Sequence, residues 1–293
     1  MIKLLDNLTS LGLGTSHIAS MGRSISNAEA SKLFKTALDL NVKVIDTSNT
    51  YGSGDSERMI SKSVKENRNE FFLITKAGFP HVYLPAYLSP LNQIGKKILQ
   101  KVHIRKCYSK NYLVSSLEKS LKRLKTDYVD AFLLHEPNAN DLVECNDFHE
   151  GLEIIKEKGM AKYIGISTNE LEAYNITKSR IKLDIVQTSM PYTKPYETSV
   201  FNHAKNNDIT VVLNQVFRPF KELLQKEEIV SYLTKHIKPK NDLMSILLRY
   251  VVNYKHGNCA LIGTRNPKHL IENVKGFNEQ GNLNEIFHLI NSF

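Results

Sequence analysis

Four residues of this chain have the chemistry of a proton-transfer centre: Asp46, Tyr51, Lys76 and His135. A phenol has an ordinary pKa of ~10 and parts with its proton reluctantly at neutral pH. An ammonium beside it favours the phenolate, and a carboxylate keeps that ammonium charged and aimed. The sequence thus predicts a Tyr51 hydroxyl made more acidic by Lys76, with Asp46 holding the lysine. An imidazole at the same point hydrogen-bonds a substrate oxygen or helps shuttle its proton. Such a set polarises a carbonyl and protonates it, but supplies no hydride, so a nicotinamide cofactor is implied. Singly, each residue has a plainer reading: a structural ion pair for Asp46 and Lys76, a loop aromatic for Tyr51, a satisfied core histidine for His135. Their joint placement argues against those readings. Asp46 ends NVKVID, Lys76 ends FFLITK, His135 ends DAFLLH, and Tyr51 follows Asp46 in DTSNTYGSGDSE.

Elements must bring these ends together. Eight apolar, β-branched runs are candidate strands: 11–15, 42–46, 71–76, 128–135, 162–167, 184–187, 209–214 and 260–264. YVDAFLLH, KYIGIS and DITVVLN are the near-continuous apolar runs of a parallel sheet buried on both faces. Amphipathic stretches alternate with them. Ser26 can cap one helix, and Leu113, Leu117, Leu121 and Leu124 recur at helical spacing in another. Further helices are read near 147–157, 170–178, 197–205, 241–252 and 267–274, with a short closing helix in LNEIFHLINSF. Strand–helix alternation repeated eight times predicts an α/β fold, a (β/α)8 TIM barrel, as a single domain over 1–293. In such a barrel the strand ends converge on one face, where distant residues meet. The rival, an open doubly wound sheet, calls for G-x-G-x-x-G after the first strand; Gly12–Leu13–Gly14 lacks the third glycine. Two long connections stand out: a β3–α3 loop at 77–111, and 216–240.

The chain has 293 residues, 41% hydrophobic and 24% charged, which is ordinary globular composition. No apolar run approaches the ~18–20 residues of a membrane helix, and the N-terminus carries no secretion signal. Cys107, Cys145 and Cys259 have no zinc or disulfide spacing and suit a reducing cytoplasm. No metal site is expected. The formal net charge is +9, without a compact basic block interleaved with aromatics, so neither nucleic acid nor membrane is expected as a partner.

At this point the sequence resembles the aldo-keto reductase superfamily. DTSNTYGSGDSE looks like that family's signature around its catalytic Asp and Tyr, ITK like the strand bearing its Lys, and SLEKSLKRLKTDYVDAFLLHEP like the helix–strand segment ending in its His. KYIGIS, VQTSMPY and LIGTRNPKHLIEN are similar to its later cofactor-binding strands, so the resemblance runs from about Leu11 to Val274. It implies Tyr51 as general acid in reduction and base in oxidation, tuned by Lys76 and Asp46, with His135 orienting the carbonyl. It also implies an extended NADPH, with NADH as the alternative, lying across the barrel mouth. Ser167 and Gln187 would hold the nicotinamide carboxamide. Gly263, Thr264 and Arg265 would lie near the adenosine ribose and any 2′-phosphate, and Glu272 and Asn273 would face the adenine.

The sequence departs from the family in places. Gly263 and His269 stand where many NADPH-preferring members have basic residues, and Arg265 and Lys268 are offered instead. Thr168 replaces a frequent Asn. In place of the aromatic that often stacks on nicotinamide, the chain has Asn214, Gln215 and Phe217 after the seventh strand. The C-terminal substrate loop is expected to be short.

The 77–111 segment bears on substrate. Tyr83, Tyr87 and Tyr108 accompany Lys96, Lys97, Lys101, Arg105 and Lys106. Aromatics stack on sugar faces and cations neutralise phosphate, so a sugar or phosphorylated substrate is one expectation and a solvated helix the other. The activity expected is NAD(P)H-dependent reduction of an aldehyde or ketone, including sugar derivatives, by a monomer or small homo-oligomer. The alternatives are an aldose or lactol dehydrogenase running in the oxidative direction, and a nicotinamide-sensing accessory subunit.

Overall fold

Eight runs of apolar and β-branched residues, each too short for a stable helix, pair side by side into a closed parallel barrel. The computed structural model describes residues 9–19, 24–80, 105–192, 196–236, 241–279 and 283–292. The strands are β1 (Leu11–Gly14), β2 (Val44–Asp46), β3 (Phe72–Ala77), β4 (Val129–His135), β5 (Ala161–Ser167), β6 (Ile185–Ser189), β7 (Thr210–Asn214) and β8 (Cys259–Ile262). They follow one another in sequence order, and β8 closes onto β1. This is the (β/α)8 barrel rather than the open sheet.

The register decides which side chains enter the barrel. Side chains alternate across a strand with period two. Val44, Phe72, Ile74, Ala131, Leu133, Ile185, Val212, Cys259 and Leu261 form the interior cluster. Stepping two residues toward the C-terminal ends along the same faces reaches Asp46, Lys76, His135, Gln187 and Asn214. The pairings His135↔Ser167 and Ser167↔Gln187 put Ser167 in the same layer. An apolar plug thus fills the barrel beneath a polar layer at its mouth. Gly165 lies inside this wall: a Cβ there would stand 1.9 Å from the Ile185 carbonyl oxygen. Only a residue without a side chain lets β5 and β6 approach so closely.

The outer layer consists of α1 (Asn27–Asp39), α2 (Asp55–Val64), α3 (Lys110–Leu124), α4 (Ala139–Glu144), α5 (Phe148–Glu157), α6 (Leu171–Arg180), α7 (Val200–Asn206), α8 (Phe220–Leu223), α9 (Glu227–His236), α10 (Asn241–Arg249), α11 (Pro267–Asn278) and α12 (Asn284–Asn291). Ser26 begins α1 with a capping box: its hydroxyl accepts from the Glu29 backbone N–H at 3.2 Å, and Glu29 accepts from the Ser26 backbone N–H at 2.7 Å. In α3, Leu113, Leu117 and Leu124 are buried against the barrel, as their spacing predicts. Three features differ from the sequence reading. Helix α2 was not anticipated, α4 was not separated from its surroundings, and the 216–240 connection contains α8 and α9. Tyr250–Tyr254 continues α10 as a π-turn.

Candidate active site

The mouth cluster begins with a buried ion pair. Lys76 Nζ lies 2.5 Å from Asp46 Oδ1, and the two side chains are 1% and 6% exposed. Lys76 also donates to the Thr47 carbonyl at 2.8 Å, so two fixed oxygens aim the ammonium. A lone ammonium at this depth would be costly, and these oxygens compensate it. Burial lowers the Lys76 pKa, while the Asp46 charge and hydrogen bond oppose that shift. Gln187 Nε2 donates to Asp46 Oδ1 at 2.8 Å, and Ser167 Oγ donates to Gln187 Oε1 at 2.8 Å. Ser167, Gln187, Asp46 and Lys76 thus form one connected polar chain across β5, β6, β2 and β3.

Tyr51 stands over this chain. Its ring centroid is 5.3 Å from Lys76 Nζ, and its ring meets His135 edge-on at 5.9 Å between centroids. The turn after it fixes the tyrosine: Gly52, Ser53 and Gly54 have φ of 58°, 55° and 90°. Three successive left-handed residues are steeply disfavoured without glycine, which explains the spacing in YGSG. Beneath the turn, Glu57 is fully buried and accepts from Arg123 Nε at 2.6 Å and Thr75 Oγ1 at 2.8 Å. This tethers α2 to α3 and β3. Ser56 donates to Thr15 Oγ1 at 2.9 Å, and Thr15 donates to the Asp46 carbonyl at 2.9 Å, fixing the backbone that carries the carboxylate.

The Tyr51 phenol departs from the expectation of a lowered pKa. It is raised well above its ordinary value, first by burial, then by the charges of Asp46 and Glu136. Lys76 is already neutralised by Asp46 at contact distance, so a net negative field and the loss of water outweigh its attraction for a phenolate. Tyr51 is consequently a neutral hydroxyl at physiological pH.

His135 is buried and held from several sides. Ser48 Oγ lies 2.9 Å from its Nδ1, and Phe79 meets its ring edge-on at 5.1 Å. Tyr108 Oη donates to the His135 carbonyl at 2.7 Å. This corrects the reading of Tyr108 as a sugar-stacking aromatic: it is 0% exposed and serves as an internal strut. Arg105 pairs with Glu144 at 2.5 Å. Lys106 donates to the Glu136 carbonyl at 2.5 Å and lies 3.6 Å from Asp141. Tyr83, Tyr87, Lys96, Lys97 and Lys101 lie outside the described residues.

Among the remaining expected residues, Asn214 ends β7 and its Oδ1 is buried with no hydrogen-bond partner among the described residues. It lines a cleft of about 440 Å³ together with Ser167, Gln187, Lys106 and Glu136. A larger hollow of about 640 Å³ lies at the opposite end of the barrel, around Thr9, Lys43 and Asp130, away from the cluster. Gly263 and Arg265 are exposed just beyond β8, and Thr264 is buried between them. Asn266 caps α11 by accepting from Lys268 N at 3.0 Å. Glu272 is exposed on α11 and Asn273 is buried. Phe217 packs against the core. Tyr192, on the loop after β6, spends its hydroxyl on the Val216 carbonyl at 3.0 Å and stacks on Tyr250. Sequence reasoning missed Thr47, Ser48, Glu57, Phe79 and Arg123. Their signal was two hydroxyls, a carboxylate, an aromatic and a guanidinium in or beside the motifs, with nothing to rank one above another. Among the described residues, no group of three or more His, Cys, Asp or Glu side chains could hold a metal ion, and no helix is long and apolar enough to cross a membrane.

Comparison with known proteins agrees with this geometry. Residues 10–286 match the model of the Aldo/keto reductase family. Aldo-keto reductase YhdN of Bacillus subtilis is 28% identical over 209 residues, covering 69% of this chain and 56% of that protein. Methylglyoxal reductase DkgB of Salmonella typhi is 27% identical over 207 residues, covering 69% and 66%. D-threo-aldose 1-dehydrogenase of a Pseudomonas species is 26% identical over 219 residues, covering 72% and 66%. The matched segments thus span less than two thirds of these relatives' own lengths. An aldo-keto reductase from Bacillus halodurans in its holo form superposes with a TM-score of 0.78 at 19% identity, over 97% of this chain and 92% of that one. With a closed eight-stranded barrel carrying the polar cluster at its mouth, this chain belongs to the aldo/keto reductase family.

Proposed function

We propose that the protein reduces a small polar aldehyde or ketone to the alcohol with a reduced nicotinamide dinucleotide, using Tyr51 as general acid. The observation that carries this reading is the buried Lys76–Asp46 pair directly under the Tyr51 ring, with His135 across from it. The cofactor, when bound, supplies the hydride that no side chain can. The residues at the mouth fit it. Asn214 Oδ1 is a buried acceptor awaiting a donor. Ser167 Oγ and Gln187 Oε1 each retain acceptor capacity after bonding one another, and an amide NH2 would use it.

In the reduction, His135 and Tyr51 both hydrogen-bond the carbonyl oxygen. The phenol proton passes to that oxygen as the carbon is reduced. Lys76 then stabilises the phenolate left behind, until solvent returns its proton. Two of the three named relatives act on small oxygenated compounds by their names. The cleft beside this cluster, lined among the described residues by Ser167, Gln187 and Asn214 together with Lys106, Glu136 and Asn169, offers polar partners to a hydroxylated ligand. Arg265 and Lys268, at the amino end of α11, favour the 2′-phosphate of NADPH over NADH.

The test is quenching titration of tyrosine fluorescence with NADPH and NADH, then turnover on methylglyoxal and short hydroxyaldehydes. Tyr51→Phe should lower kcat by about 10²–10⁴-fold while leaving NADPH affinity within twofold. Undiminished turnover in this variant, or absence of dinucleotide binding in the wild type, refutes the reading.

A further inference from the structure

We propose that Ser48 is a positioning residue that donates its hydroxyl proton to His135 Nδ1, holding the imidazole as the neutral tautomer with its proton on Nε2. This rests on the functional reading above, because it concerns what His135 presents to a carbonyl oxygen. A neutral imidazole has one donor and one acceptor nitrogen, and the partner of one fixes the role of the other.

The hydrogen-bond accounting around Ser48 favours this direction. Ser48 Oγ has one proton to give and two lone pairs to receive. The Thr50 backbone N–H donates to it at 3.2 Å, using one lone pair. Thr50 Oγ1 stands at 3.0 Å and uses the second when it donates. Besides Thr50 Oγ1, the Ser48 proton then has three candidate acceptors. The Lys76 carbonyl is 3.4 Å away and already receives the Asn49 N–H at 3.1 Å. Asn49 Oδ1 is also 3.4 Å away. His135 Nδ1, at 2.9 Å, is nearer than these two by half an ångström or so, and nearer than Thr50 Oγ1 at 3.0 Å.

The surroundings point the same way. Ser48 is fully buried and His135 nearly so, so water does not scramble the arrangement. The opposite tautomer would place a lone pair on a ring 5.9 Å from Tyr51, where burial and the charges of Asp46 and Glu136 hold the phenol proton. A proton on Nε2 is stabilised by that field, and a lone pair is destabilised. With the proton there, His135 joins Tyr51 as a second donor to one oxygen. With a lone pair there, it would repel that oxygen and compete for the Tyr51 proton.

Nitrogen-15 NMR of the full-length protein with labelled histidine tests the assignment directly, since the Nδ1 and Nε2 shifts separate the tautomers. The chain has 10 histidines, and His135→Gln identifies the resonance. The wild type is expected to show a proton on Nε2 and a bare Nδ1. Ser48→Ala should convert His135 to a tautomer mixture and lower kcat about 10-fold or more, with NADPH affinity and the melting temperature little changed. Ser48→Thr, which keeps the hydroxyl, should restore the wild-type tautomer. A proton on Nδ1 in the wild type overturns the proposal without any variant having to fold, as does an unaltered tautomer in Ser48→Ala. Either result leaves the Tyr51→Phe outcome untouched, so failure here is separable from failure of the functional reading.

Discussion

Severing the ion pair between β2 and β3 tests whether the mouth cluster is a coupled unit. The perturbation is Lys76→Met, which keeps the length of the side chain and removes its charge. At 1% and 6% exposure neither partner is screened by water, so the small worth of a surface ion pair does not apply. Leaving Asp46 buried against only Gln187 is expected to cost about 3–5 kcal/mol. For a chain of this size that is a fall of about 5–8 °C in melting temperature. Asp46→Asn removes the charge at the other end and strands the ammonium between neutral oxygens, at a similar cost. The double variant restores electroneutrality, so its cost should fall short of the sum of the two singles by about 2–3 kcal/mol. Urea unfolding followed by far-ultraviolet circular dichroism is the assay, because the chain has no tryptophan to report by fluorescence. Costs that add to within about 0.5 kcal/mol refute the coupling, and with it the argument that Asp46 exists to hold Lys76 beneath the phenol.

Two further outcomes follow from the same geometry. Because the Tyr51 phenol is raised, its proton is held more tightly in the folded chain than in the unfolded one. Its contribution to stability is therefore complete below about pH 10 and is lost as pH climbs through the folded value. Subtracting the tyrosinate absorbance titration of Tyr51→Phe from that of the dinucleotide-free wild type should leave no signal below about pH 10; an inflection nearer neutrality would show the phenol to be depressed instead. Gly165→Ala should cost about 3 kcal/mol or more, because its Cβ meets backbone 1.9 Å away; soluble protein with unchanged urea midpoint would mean that β5 and β6 part freely.

The eight strands were legible because a parallel sheet covered on both faces leaves an unbroken apolar trace, as in YVDAFLLH and DITVVLN. The ends of those traces also revealed Asp46, Lys76 and His135, since a charged residue closing an apolar run has few structural excuses. Helix α2 was illegible for the complementary reason. Its inward face is Ser56, Glu57, Ile60, Ser61 and Val64, so the apolar stripe that betrays a helix is largely replaced by polar groups paired inside the protein. Glu57 finds Arg123 far along the chain, and no local pattern announces such a partnership. The sign of the Tyr51 shift was misjudged because sequence shows which charges are near but not how deeply the phenol is buried. The role of Tyr108 was misjudged because an aromatic in a long connection looks the same whether it faces solvent or the core.

That strut also bears on how such a barrel changes its diet. The long connection after β3 returns to the scaffold at two posts: Cys107 N–H donates to the Gly78 carbonyl at 2.9 Å, and Tyr108 clasps the His135 carbonyl at 2.7 Å. Everything hung between those posts can be lengthened, shortened or rewritten over evolutionary time while the imidazole stays where it is. Selection is thereby free to rewrite that connection without moving His135, and grafting the segment from a relative is the engineering counterpart of the same freedom.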